Sequence, residues 1–281
     1  MACGRRRLQW HFRRMLCAAL AVMLSAAAAG CGAAAGAAGE PDGPTISIGV
    51  ALDEPGVGWL HDGEYSGFDV TVARYVAQAL GYARKQVNFT QIRPVDASAA
   101  LHSGEAQMLV TSMPMDGTQP KDVQGSRPYL LTQQDLLVRT GDRPAIAAPA
   151  DLNGKIVCSA RGSGAGARLR EKAPGVIIRE RESYQQCVTA LLVGEADAVS
   201  ADDAVLSGLA FSTGKGYLTL VGQPLGTVLR SVQVKAGEDE LMSKINAVLD
   251  TMRKDGSLAR ALDAMRDATG YRGGSVPEIQ R

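Results

Sequence analysis

From residue 46 onward the chain alternates between two hydrophobic periods. Ile46, Ile48, Val50 and Leu52 recur every second residue, which predicts a strand with one buried face. After a Gly-rich loop, Val72, Val76, Ala79 and Leu80 form a helical stripe that Asp69 is placed to cap and Gly81 to stop. A strand around residues 87–92, a short helix to His102 and a buried strand at 108–110 follow. A second run begins at Asp151, with strands at 156–159 and 176–178 around a helix at 163–172. Ser183 and Gln186 have capping-box spacing before a helix whose apolar face reads Tyr184, Cys187, Val188, Leu191 and Leu192; the next strand starts at Ala198. Alternation of this kind predicts βαβ units and an α/β fold.

The two runs echo each other. Gly104-Glu105-Ala106-Gln107 and Gly194-Glu195-Ala196-Asp197 each close a helix and open a buried strand, which predicts two similar lobes. Residues 129–139 and 227–235 are extended, β-prone segments flanking the second lobe, where chain crossings belong. The final helices, with Leu241, Ile245, Val248, Leu249 and Met252, then Leu258, Ala261, Leu262 and Met265, have only the first lobe left to cover. The expected organisation is lobe one from 45–138 and 236–270, lobe two from 139–235 and a tail over 271–281. Two lobes joined by two hinge crossings bind ligands between them.

Charge changes the picture at the N-terminus. Arg5, Arg6, Arg7, Arg13 and Arg14 precede 16 uncharged residues, Met15 to Gly30, which are too few to span a bilayer comfortably. This is the pattern of a secretory signal peptide over residues 1–30. Ala28-Ala29-Gly30-Cys31 resembles a bacterial lipobox, which would make Cys31 the lipid-bearing residue and 31–44 a flexible tether. Without the five arginines, 25 basic side chains face 29 acidic ones, a mildly acidic body that argues against nucleic acid as a partner.

Of five cysteines, Cys3 and Cys17 leave with the signal and Cys31 is the lipid site, so Cys158 and Cys187 remain as a pair in an oxidising compartment. A disulfide is expected; the alternative is two buried thiols packed as small hydrophobes. His61 and His102 have no metal-ligand spacing around them, so neither a metal nor a cofactor is expected.

Ser66-Gly67-Phe68-Asp69-Val70 after a Pro-Gly loop, the Pro128-Tyr129 ending of the 126–129 segment, Asp151-Leu152-Asn153-Gly154-Lys155, Gly162-Ser163 opening a helix and the 200–203 segment resemble, in order, the family 3 extracellular solute-binding proteins. The resemblance implies the type II periplasmic-binding-protein fold, each lobe a β-sheet flanked by helices. It implies a lipid-anchored, monomeric receptor outside the bacterial cytoplasmic membrane that hands a small amino-acid-like solute to an ABC permease. A receptor for a signalling membrane protein is the alternative, and a cyclohexadienyl dehydratase-like enzyme the more distant one. Nothing in the chain assembles a nucleophile, base and orienting group, so no catalytic residue is named. Cysteines at 158 and 187 also suit the resemblance.

The candidate ligand contacts are Asp53, Trp59, Ser112, Pro114, Gln119, Arg161, Gly162, Ser163 and Asp202. Asp53, beside Glu54 on the loop after the first strand, is read either as facing the cleft or as capping the turn, and Arg161 either as a ligand contact or as a solvated surface residue. Asp202 matches the aspartate that holds the ligand's ammonium, while Ser163 lies at a helix start that suits anions. Trp59 is read either as an aromatic over the ligand or as a hydrophobic plug on the lobe surface. At the position of the family's carboxylate-gripping arginine stands Gln119, and Pro114 replaces a residue that would offer an N–H. Three accounts are open: Arg161 or Arg127 supplies the positive charge, the ligand lacks an α-carboxylate, or binding is lost. Loss of one charge-assisted hydrogen bond would weaken amino-acid binding about 10- to 100-fold.

Overall fold

The computed structural model describes residues 43–113, 120–214 and 216–277. The expected signal peptide and Cys31 lie outside the described residues, as do Pro114 and Gln119. The first lobe is built on three parallel strands in the order β5 (Val87–Gln91), β1 (Ile46–Val50) and β6 (Met108–Met113). The second has the equivalent trio β10 (Ile177–Arg181), β9 (Ile156–Ala160) and β11 (Ala198–Asp202). Two ten-residue strands, β8 (Leu130–Arg139) and β13 (Gly226–Lys235), run antiparallel to each other and join the trios into one curled sheet. At one end β13 pairs with β6; at the other β8 pairs with β11. These are the crossings predicted from the extended segments. The short strands β7 (Val123–Gly125) and β12 (Leu218–Leu220) extend β13 and β8, while β2 (Asp53–Glu54), β3 (Gly58–His61) and β4 (Glu64–Ser66) form a separate small sheet.

Helices cover both faces. In the first lobe, α1 (Phe68–Ala79) packs against α6 (Asp239–Lys254) and α7 (Ser257–Thr269), and α2 (Ala97–Ser103) lies on the opposite face. In the second, α3 (Ala165–Lys172), α4 (Tyr184–Leu192) and α5 (Asp203–Thr213) surround the strands. Because successive strand side chains point to opposite faces, Met108 and Val110 join one apolar cluster and Leu109 another. Likewise Leu137 packs apart from Leu136 and Val138. The largest cluster runs through both lobes, from Val76 and Leu262 to Leu191 and Leu209.

The internal echo is structural down to individual hydrogen bonds. Gly104 and Gly194 both adopt the left-handed conformation, at φ 76° and 82°. The amides of Ala106 and Ala196 donate to the carbonyls of Ala100 and Ala190, each six residues back. Gln107 and Asp197 then each clamp the start of a neighbouring strand, exchanging backbone and side-chain hydrogen bonds with Ser47 and with Ile156. Cys158 of β9 and Cys187 of α4 are disulfide-bonded with their Cα atoms 5.4 Å apart.

Local expectations shift in three places. Asp69 is not the cap of α1: Gly67 holds that position and the Asp69 carboxylate turns into the core. Leu192 is 45% exposed, because it ends α4 at the margin of a stripe that Tyr184, Cys187, Val188 and Leu191 already fill. The 271–277 segment is tied into the fold. Tyr271 is buried with its hydroxyl donating to Asp203, and Ser275 exchanges backbone hydrogen bonds with Leu131 of β8.

Candidate functional site

The carboxyl ends of both parallel trios converge on a crevice, the position where open α/β sheets bind ligands. The first lobe brings Asp53 and Glu54 from β2, Gln91 and Arg93 from the end of β5 and just beyond it, and Thr111 from β6; the second brings Glu182 and Ser183 from the loop after β10 and Tyr184 from the start of α4. The cavity between them measures about 20 Å³, space for about one water molecule, so the lobes are shut on each other. The Tyr184 amide donates to Asp53 Oδ2 at 2.7 Å, and Arg93 Nη1 meets Glu182 Oε2 at 2.6 Å. Gly162 lies against the Val95 backbone: a Cβ there would stand 2.6 Å from the Val95 nitrogen, and its φ is 79°. Across the same interface Gly208 of α5 faces Pro55, where a Cβ would run into the Pro55 carbonyl oxygen.

Behind the crevice a fully buried arginine joins the lobes. Arg230 of β13 donates through Nη1 to Asp69 Oδ2, and through Nη2 to Glu54 Oε2 at 2.8 Å and Asp202 Oδ2 at 2.9 Å. The Tyr129 hydroxyl donates to the other Asp69 oxygen at 2.9 Å. Glu54 and Asp69 belong to the first lobe and Asp202 to the second, so one guanidinium holds carboxylates from both. Three acids surround one base. Burial outweighs the Arg230 attraction and pushes the Glu54 carboxyl up to about 8 and that of Asp69 up to about 6. Burial opposes the Arg230 charge as well, but Asp202, Asp69 and Glu54 together hold it protonated.

Asp202 therefore sits at the lobe junction with both oxygens engaged by the chain, one on Arg230 and the other accepting from the Val205 amide as the cap of α5. The expected ammonium ligand is taken up internally. Arg161 ion-pairs with Glu182 at 2.9 Å beside the crevice. Ser163 Oγ accepts from the Ala165 amide at 3.3 Å, and the carbonyl of Ser112 in β6 accepts from Gln233. Arg127 is not among the residues that line the crevice; it is fixed to Asp250 and Asn246 of α6. Trp59 is also away from the crevice; in β3 it stacks on His61 at 4.6 Å and lines an outer hollow with Phe68, Phe211 and Met265. Among the described residues no group of three or more His, Cys, Asp or Glu is placed to hold a metal ion.

Sequence reasoning missed Arg230, Arg93 and Glu182. For Arg230 a signal exists: it stands in phase with Val228, Val232 and Val234, the inward set of a crossing strand, and a charge on that face requires buried partners. For Arg93 and Glu182 no local pattern marks the crevice, since both lie in connecting segments.

The family model of bacterial extracellular solute-binding proteins, family 3, matches residues 46–264. The glutamate-binding protein GluB of Corynebacterium efficiens is 32% identical over 228 residues, covering 77% of each chain. The ABC transporter glutamine-binding protein GlnH of Bacillus subtilis is 32% identical over 218 residues, covering 76% of this chain and 78% of its own. An ancestral arginine-binding protein solved with bound arginine superimposes with a TM-score of 0.73 at 26% identity, over 82% of this chain and 99% of that one. With its two mirrored lobes, two crossing strands and a crevice between them, the chain belongs to the bacterial extracellular solute-binding proteins of family 3.

Proposed function

We propose that this protein is the solute receptor of an ABC importer, that it captures an amino acid or a closely related amine-bearing solute between its lobes, and that a lipid on Cys31 holds it at the outer face of the cytoplasmic membrane. The observation that carries the reading is the crevice, where polar groups from strand ends of both lobes meet within hydrogen-bond distance. A solute that touches both sides favours the shut state by its differential affinity, and a membrane permease reads that state. Family membership and the named binding functions of GluB and GlnH support the substrate class. With Asp202 engaged by Arg230, the amine contact is assigned to Asp53, the acid that lines the crevice and accepts from Tyr184 across it.

Thermal unfolding of the purified full chain with L-glutamate, L-glutamine, L-arginine and putrescine tests the reading. A true ligand at 100 times its Kd adds about 2.7 kcal/mol of stability. No shift with any amine-bearing solute would overturn it. For the anchor, the mature protein is expected in the membrane fraction with the added mass of a lipid, and Cys31→Ala is expected to release it.

A further inference from the structure

The crevice contains a carboxylate already seated between two arginines. Glu182 Oε2 accepts from Arg93 Nη1 at 2.6 Å and its Oε1 pairs with Arg161 Nη1 at 2.9 Å. Arg93 comes from the first lobe and Arg161 from the second, so two guanidinium groups reach one carboxylate from opposite walls. Planar donors that meet both oxygens of a carboxylate are the strong form of this contact. We propose that Arg93 and Arg161 are the receptor for the carboxylate of the solute, and that Glu182 is a built-in carboxylate which the solute displaces. This rests on the amino-acid reading above and supplies the positive charge that Gln119 does not.

Two features single out this pair. Arg230, which also contacts both lobes, is fully buried with its guanidinium on Glu54, Asp69 and Asp202. Glu182 is held loosely by comparison: its side chain is 39% exposed, and those of Arg93 and Arg161 are 44% and 53% exposed. Ion pairs that exposed shift an equilibrium by a factor of about five or less, so removing Glu182 from the arginines costs little. Arg93 keeps its place during the exchange through a 2.6 Å hydrogen bond from Nε to Asp96. The Glu182 backbone keeps its own, because its amide donates to Gln186 Oε1 of α4.

The test is titration calorimetry on the full chain with L-glutamate, L-glutamine and L-arginine, each beside its α-amide, in which the α-carboxylate is replaced by a neutral carboxamide. Glu182→Gln, which keeps the shape and removes the competing charge, is expected to tighten the α-carboxylate probes about fivefold. Arg93→Met and Arg161→Met are each expected to weaken them 10-fold or more. The α-amides are expected to change less than about threefold in every variant. If the amino acids bind but the three substitutions leave affinity unchanged, or change acids and amides alike, the carboxylate grip is elsewhere and the amino-acid reading stands. If no probe binds the parent chain or Glu182→Gln, both fail. Unfolding midpoints of the variants are expected to stay near the parent's, since all three side chains are partly exposed.

Discussion

Arg230 and Asp202 meet at 2.9 Å although one stands on a crossing strand and the other at the carboxyl end of a second-lobe strand. The same nitrogen also holds Glu54 of the first lobe at 2.8 Å, so one guanidinium bonds an acid from each lobe. An internal cation thus satisfies the acid that the family resemblance reserves for a ligand.

Arg230→Met is expected to be among the most damaging single substitutions in the chain. It leaves three carboxyl groups buried without their cation, and breaking a buried pair by removing one partner costs about 3 to 5 kcal/mol. Part of that cost is relieved by protonating the orphaned acids. The midpoint of urea unfolding should therefore fall further below the parent's at pH 8 than at pH 5.

Stability of the parent should itself decline as pH rises from about 4 to 8. Folded Asp69 titrates at about 6 and folded Glu54 at about 8, both above their ordinary values of 3.8 and 4.5. Between the unfolded and folded values the native state binds more protons than the unfolded one. Its contribution is then complete below the lower value and is lost as pH climbs through the higher one. Urea midpoints measured across this window check the slope. In Glu54→Gln the portion from about pH 5 to 8 should flatten, while the Asp69 portion remains.

Removing the Cys158–Cys187 bridge by a double substitution to alanine should cost about 3.5 kcal/mol, the chain-entropy value for a loop of about 30 residues. Because both sulfurs lie in the core between β9 and α4, reducing agent should act slowly on the native protein. Unfolding midpoints of the oxidised, reduced and substituted proteins provide the comparison.

Gly162→Ala should hold the lobes apart. Its φ of 79° disfavours any L side chain, and its Cβ would stand 2.6 Å from the Val95 nitrogen, a backbone atom of the opposite lobe. The clash, an overpacking cost of about 1 to 3 kcal/mol that opening relieves, would shift the closure equilibrium about 10-fold, whereas the left-handed strain is the same in both states. The radius of gyration in solution scattering should increase relative to the parent. Gly104→Ala, at a left-handed turn with open space around it, is the control for backbone strain without interlobe contact and should leave that radius unchanged.

Much of this molecule was legible before its coordinates. The switch between periods of two and about 3.6 residues located the strands and helices of both lobes, because one-sided burial dictates which side chains are apolar. The repeat at Gly104 and Gly194 announced the duplicated lobe, since a left-handed turn followed by a small buried residue and a strand-clamping polar one is a local device. The paired cysteines rested on compartment logic that needs no coordinates.

What the sequence could not determine is which charges meet. Arg230 finds Glu54 176 residues away and Asp69 161 residues away, and Arg93 finds Glu182 across 89. Hydrophobic periodicity reports whether a position faces inward, but a pairwise electrostatic contact depends on two distant positions reaching the same few ångströms. Only the folding of the crossing strands and the shutting of the lobes fixes that. The same reason separates Asp53, which lines the crevice, from Trp59, six residues later on the outside, and gives Asp202 to the protein's own arginine.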